Sequence, residues 1–317
     1  MIKKLSQQFS LDENLNFTEI CPGFPIIRIN NKWASAAISL YGGQVLEFQP
    51  HDQIEPVLWL SDKAIYKHGK AIRGGVPICW PWFGGYNDSA LQADGTLQAD
   101  GSILPAHGFA RTTLWDVVST ESLANDVTQI VLHMPCQEIC QQYQTIEPQF
   151  ECDLKLKISI SKELKIELTT TNRSKHELPI SNALHSYFKV SDIRNIAISG
   201  LEQVNYSDKL RNGKVLQQQE VELSLTQETD RVYMDTASDI TLIDRGLSRT
   251  ITIKKGNSFS TVIWNPWQEN SQRMSDMTDE AWLSMVCIEP ANVHNNQIIL
   301  KPDTCHQLIM SISVNAF

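Results

Sequence analysis

A carboxylate, two histidines and two arginines stand out in this chain because of what surrounds them. In "MVCIEPAN" (residues 285–292) an apolar run from Met285 to Ile288 ends abruptly at Glu289, and Pro290 follows. Proline biases the residue before it toward extended backbone and donates nothing to a ladder, so the strand presents a carboxylate where it leaves its sheet. Desolvation there raises the pKa and makes Glu289 a competent general base. In "SNALHSYFKV" (181–190) an extended strand puts Ala183, His185 and Tyr187 on one face and Leu184, Ser186 and Phe188 on the other. His185 is a second candidate for proton transfer, although a single histidine beside a tyrosine is more often structural.

Two further segments supply cations and walls. In "ILPAHGFAR" (103–111) a turn at Gly108 lets His107 and Arg111 project toward one cavity; a satisfied histidine and a solvated arginine are the commonplace reading. In "IRGGVPICWPWFGG" (72–85) Arg73 precedes two glycines, which allow the backbone to bend closely around an anion while the guanidinium offers a forked donor. Trp80, Trp82 and Phe83 are flat apolar side chains that suit a sugar face or plain core equally well. The sum is at least one acid, one base and two fixed cations.

Other chemistries lack their signatures. There is no HxH or HExxH spacing, the seven cysteines contain no CxxC pair, and Cys136 and Cys140, the closest two, have no histidine or second cysteine pair beside them. GxSxG, GxGxxG and Walker loops are also missing from the sequence. A formal charge of −9 argues against nucleic acid, whose phosphates need a basic footprint. It leaves room for a small phosphorylated ligand, because one phosphate needs only two or three local cations. The opening "MIKKLSQQFS" has two lysines but no apolar run, so no signal peptide is expected, and no stretch approaches the roughly 20 apolar residues that cross a bilayer. An odd number of cysteines suits a reducing compartment, and the cytoplasm is the expected location.

The elements that must position these residues are strands. "LKLKISIS" (154–161), "LKIELTTTN" (164–172) and "TITIKK" (250–255) alternate apolar and polar residues, the pattern of strands with one buried face. "STVIWN" (260–265) and "LSMVCIE" (283–289) are apolar enough to be covered on both faces. Turn signals at Gly42-Gly43, Asn212-Gly213 and Gly256-Asn257 separate the runs, and the only helix expected is a short one around Cys136–Tyr143. The pattern predicts an all-β chain, a large antiparallel β-sandwich with few short helices. No linker divides the 317 residues, so one domain over 1–317 is expected. "LQADG" occurs twice, at 91–95 and 97–101; residues 85–103 read as an extended surface loop, a lid or a tolerated insertion.

Six segments in order, "IRGGVPICWPWFG", "PAHGFAR", "NALHSYFKVSD", "TDRVY", "VIWNPW" and "MVCIEPA", resemble the hexose-6-phosphate mutarotases (glucose-6-phosphate 1-epimerases) of the aldose 1-epimerase superfamily. The resemblance runs from about Trp59 to Ala291. It implies a galactose mutarotase-like supersandwich and an isomerase that needs no metal or organic cofactor. It further implies His185 and Glu289 as the catalytic pair, Arg73 and Arg111 as ligands of the sugar phosphate, Asp230 as a ligand of sugar hydroxyls, and His107 lining the pocket. Ala106 stands where some relatives carry Gln, and Arg231, beside Asp230, is a third phosphate contact or, the favoured reading, a surface charge. The implied reaction interconverts the α and β anomers of a hexose 6-phosphate, glucose 6-phosphate first, by acid/base ring opening and closure. The implied partner is that small molecule alone, with no nucleic acid or membrane, on a monomer. A non-catalytic carbohydrate-binding sandwich is the rival reading; it needs neither an acid nor a base. A glycoside-processing enzyme would want two carboxylates flanking one bond, and a metal-dependent sugar isomerase would respond to chelators.

Overall fold

The computed structural model describes residues 1–86, 91–92, 95–97, 103–136 and 150–317. Most of the loop expected over 85–103, and of the short helix expected around Cys136–Tyr143, lies outside the described residues.

Two eight-stranded sheets and a four-stranded one carry the fold, and their strands pair antiparallel. The first large sheet runs Ile196–Ser199, Ile240–Asp244, Arg249–Gly256, Cys305–Ala316, Leu164–Asn172, Cys152–Ile160, Val127–Met134, Asp116–Leu123. Here the alternating segments behave as expected: Leu154, Leu156, Ile158 and Ile160 are buried, as are Leu164, Ile166 and Leu168. The second large sheet runs Lys214–Gln217, Asn205–Asp208, Thr229–Met234, Ser260–Asn265, Met285–Asn292, Asn182–Leu184, Ile78–Cys79, with Tyr187–Lys189 also paired to Met285–Asn292. The smaller sheet is Leu15–Cys21, Phe24–Asn30, Ala34–Ser39 and Gln44–Pro50. One cluster of buried apolar side chains joins all three, from Phe17 and Phe48 through Ile158 and Leu308 to Ile263 and Ile288. Burial of this extent, at about 25 cal/mol per Å² of apolar surface, is the main term holding the layers together.

The two strands expected to be covered on both faces are so. All eight residues of Met285–Asn292 are buried. Val286 and Ile288 point into the shared core, whereas Met285, Cys287 and Ala291 pack on the other side of the sheet. Side chains two apart share a face, so Glu289 belongs to that second side. The same split applies at 183–188: Leu184 and Phe188 join the core, and Ala183 and Tyr187 face away. The chain bends at His185 and Ser186, between the two short strands, with the His185 amide donating to Pro77 O at 3.0 Å.

Helices are minor. Ile2–Phe9 packs Ile2, Leu5 and Phe9 on the core, and Trp267–Arg273 follows the strand Ser260–Asn265. Among the described residues no helix is long and apolar enough to cross a membrane.

Candidate active site

Cross-strand register assembles the outer face of the second sheet into rows. Asp230 pairs with Trp264, Trp264 with Cys287 and Cys287 with Tyr187; one step along, Val232 pairs with Val262 and Val262 with Glu289. Over these rows lies a cavity of about 450 Å³. Arg73, His107, Arg111, His185, Asp230 and Glu289, separated by as much as two-thirds of the chain, all line it.

His185 and Glu289 sit at its floor, 8% and 1% exposed, with His185 Nδ1 3.4 Å from Glu289 Oε1. The imidazole stacks on Tyr187, centroids 4.9 Å apart and planes within 10°, which fixes the ring. Burial pushes Glu289 well above the usual carboxylate range; Asp230 adds to this, while Lys209 and Arg111 oppose it. Burial pushes His185 well below its ordinary value, and the charges of Arg111 and Arg73 push the same way. The two groups are thus drawn toward each other, and burial favours the uncharged form of each, a carboxylic acid beside a neutral imidazole.

His107 reaches the cavity from a turn in the left-handed region, φ +62°, uncommon for a residue with a side chain. Its amide donates to Gly84 O at 2.8 Å, and its Nδ1 accepts from the Gly84 amide at 3.3 Å. An accepting Nδ1 in a neutral ring leaves the proton on Nε2. Neutrality is secured by burial, then by the Arg111 charge. The next residue, Gly108 (φ +72°), lies so close to Trp80 that a Cβ would sit 2.0 Å from its carbonyl oxygen. Any other residue here would force the turn off the sheet and His107 out of the cavity.

The arginines are held in two different ways. Arg73 donates from Nε to Asp276 Oδ2 at 3.0 Å and from Nη1 to Tyr187 Oη at 2.9 Å. Burial alone would lower its pKa, but Tyr187 and Asp276 outweigh that and hold it above the ordinary value. Asp276 is fixed in turn by Ser61 Oγ, which donates to its carbonyl oxygen at 2.7 Å. Arg111 sits in the middle of the single turn Ala110–Thr112 and donates from Nη2 to Ala106 O at 2.8 Å, while its Nε is buried without a partner among the described residues. Both arginines also line an adjoining cavity of about 470 Å³, together with Lys70 and Arg273.

The structure revises the sequence reading of the glycines after Arg73 and decides two readings left open, those of the tryptophans and of Arg231. The glycines after Arg73 bend around protein, not around an anion: a Cβ at Gly75 would meet Val45 O at 2.2 Å, and one at Gly74 would meet Trp59 O at 2.6 Å. Trp80 and Trp82 are core, donating from Nε1 to Thr170 Oγ1 and Pro105 O, each at 3.0 Å; Phe83 and Trp264 are the aromatic walls. Arg231 points to the opposite face from Asp230 and lies over the Tyr206 ring at 4.7 Å.

Sequence reasoning missed Lys209, Asp276 and the partnership of Tyr187 with Arg73. Lys209 Nζ lies 3.5 Å from Asp230 Oδ1 and 4.9 Å above the Phe83 ring, so Asp230 is a paired acid. Burial still raises the pKa of Asp230, with Lys209 pulling it down. In "SDKLRNG" the visible signal is only a turn, capped by Asp208 accepting from the Leu210 amide; nothing in it announces a cavity.

Fold and site together define a β-sandwich with an acid/base pair in a cation-rimmed cavity, and residues 25–313 match the model of the aldose 1-epimerase family, to which the chain belongs. It is therefore an isomerase of the kind that interconverts sugar anomers. The chain is 32% identical over 291 residues to an Escherichia coli (strain K12) protein named "Putative glucose-6-phosphate 1-epimerase", covering 91% of this chain and 90% of that one. A protein of the same name from Cenchrus ciliaris is 32% identical over 271 residues, 84% of this chain and 77% of its own. Among solved structures, that of a "putative mutarotase (YeaD)" from Salmonella typhimurium superposes with a TM-score of 0.85 at 29% identity, covering all of both chains. A galactose mutarotase-like protein from Clostridium acetobutylicum shares the fold at TM-score 0.70 and 17% identity, over 96% of this chain and all of that one.

Proposed function

We propose that this protein interconverts the α and β anomers of a hexose 6-phosphate, glucose 6-phosphate first, with His185 and Glu289 moving the protons. The observation that carries the reading is the pairing of His185 with Glu289, 3.4 Å apart, on the floor of a cavity whose wall holds Arg73 and Arg111.

Anomerisation takes the proton from the C1 hydroxyl and delivers one to the ring oxygen. The C1–O5 bond breaks and an aldehyde forms. Rotation about C1–C2 presents the other carbonyl face, and closure returns both protons. Each group therefore acts once as acid and once as base, and a pair whose pKa values are drawn toward each other serves either direction. A positioned acid and base contribute about 10²–10⁴-fold each. The Nε2–H of His107 donates toward the ring oxygen, and Asp230 accepts from sugar hydroxyls, with Lys209 favouring its ionised form against burial. A phosphate dianion against Arg73 and Arg111 offsets two of the charges that hold the His185 pKa down, so substrate itself brings the imidazole toward working range. A desolvated Arg–phosphate contact discriminates the ester from the free sugar by about 2–5 kcal/mol.

The test is NMR exchange between the anomers of glucose 6-phosphate, with and without protein, beside free glucose and Glu289→Gln. Fast exchange with the ester, little with glucose and none with the variant supports the reading. Exchange no faster than buffer across several hexose phosphates overturns it and leaves a sugar-binding sandwich.

A further inference from the structure

One group buried beside His185 and Glu289 has no part in moving protons: the thiol of Cys287. It is fully buried and stands two residues before Glu289, on the same face of the strand Met285–Asn292. Its Sγ, a ring nitrogen of His185 and an oxygen of Glu289 all lie within 4.8 Å of one another. A tetrahedral zinc ion with bonds of about 2.0–2.3 Å sets its ligands roughly 3.3–3.8 Å apart, and the His185 Nδ1 to Glu289 Oε1 separation is 3.4 Å.

A second observation points to a ligand. His185 Nδ1 and Glu289 Oε2 are both buried without a hydrogen-bond partner among the described residues, and the Glu289 side chain is only 1% exposed. Buried polar atoms left unpaired are rare and each calls for an explanation. An ion bound between them would satisfy both.

We propose that His185, Cys287 and Glu289 form an inhibitory site for a single zinc-like divalent cation, bound by imidazole, thiolate and carboxylate with a fourth position left to water. The donor set selects the ion. One nitrogen, one sulfur and one oxygen suit borderline-soft Zn²⁺ or Cd²⁺, and not the all-oxygen shells of Mg²⁺ or Ca²⁺. Thiolate and carboxylate together balance the two positive charges, and the thiol and carboxyl protons leave to solvent as the ion binds. The bound ion occupies both proton-transferring groups, so it stops turnover and competes with the sugar. Inhibition rests on the function proposed above; binding of the ion does not.

The test titrates the full-length protein with Cd²⁺ and Zn²⁺ alone, reading the thiolate-to-cadmium ultraviolet absorption and equilibrium binding, with anomer exchange measured in parallel. The expected result is one equivalent bound with thiolate absorption, exchange abolished, and recovery on adding a chelator. Cys287→Ser should keep its basal exchange and bind the ion at least about tenfold more weakly. Cys305→Ser, at an exposed thiol beside His306, should change neither reading. Cadmium NMR of the unmodified protein, whose shift reports sulfur ligation, decides the matter if Cys287→Ser fails to fold. Equal affinity in Cys287→Ser, no sulfur ligation, or binding that leaves exchange untouched overturns the proposal. Thiolate binding by a protein that shows no exchange even without metal would overturn the mutarotase reading while the ion site stood.

Discussion

The two ends of the cavity solve opposite problems. At the floor, His185 and Glu289 are buried deeply enough that desolvation prevails, and both are pushed toward their uncharged forms. At the rim, Arg73 is also largely withdrawn from water, yet Tyr187 and Asp276 overcome the burial and hold its charge. The difference lies in the partners. A guanidinium offers five donors and cannot give up its proton, so the fold must supply a carboxylate and a hydroxyl to it. A carboxyl group can neutralise itself, and the fold leaves one of its oxygens bare. His185 and Glu289 keep bare polar atoms, Arg73 is paired, and Arg111, with one backbone acceptor and a bare Nε, stands between them.

Breaking the floor should have the largest effect. Glu289→Gln or His185→Gln removes one proton-transferring group, and anomer exchange should fall by about 10²–10⁴-fold with substrate affinity largely kept. Single-turnover NMR with saturating ester separates the two parameters.

Breaking the rim should act on affinity instead. Arg111→Leu should raise KM for the phosphate ester by an amount corresponding to about 2–5 kcal/mol, with turnover of free glucose unchanged. A matched loss for glucose would place Arg111 at the sugar rather than at the phosphate.

The pH dependence of stability sharpens the comparison. Glu289 has a raised folded-state pKa, so its contribution is complete below the unfolded value near 4.5 and declines as pH rises through the folded value. His185 is lowered, so its contribution is present above 6.5 and declines as pH falls below that. The melting temperature of Glu289→Gln should therefore gain on the parent as pH rises above about 4.5, and His185→Gln should gain as pH falls below 6.5. Parallel melting curves across pH would show that the floor is not desolvated.

Tyr187→Phe should have the smallest effect. It removes the hydroxyl that accepts from Arg73 but keeps the ring under His185. A loss of about 0.5–1.5 kcal/mol, seen as a KM increase under roughly tenfold, is expected with kcat little changed. A drop in kcat instead would mean that the hydroxyl serves the imidazole.

Much of this site was legible in one dimension. An apolar strand that ends on Glu289 announces a desolvated carboxylate, and the two-residue period at 183–187 puts His185 on a face with Tyr187. Both follow from local geometry, which the chain carries without help. The strand segments were legible for the same reason, down to the two covered on both faces.

What tertiary structure alone decided is which faces meet. Nothing in "SDKLRNG" or "RMSDMTD" brings Lys209 to Asp230 or Asp276 to Arg73. Those pairs depend on the register of strands far apart in sequence and on a turn fixed through Ser61 and Asn265, whose side chain holds the Trp282 and Met285 carbonyls. Trp80-Pro81 and Gly74-Gly75 serve packing because the backbone of another segment fills the space beside them. A residue's type and period determine what it can do and which way it faces. What it faces is a long-range property of the packed chain, and so the sequence by itself offered the candidate carboxylate, imidazoles and guanidiniums, while the fold set the surroundings that favour or oppose the charge on each.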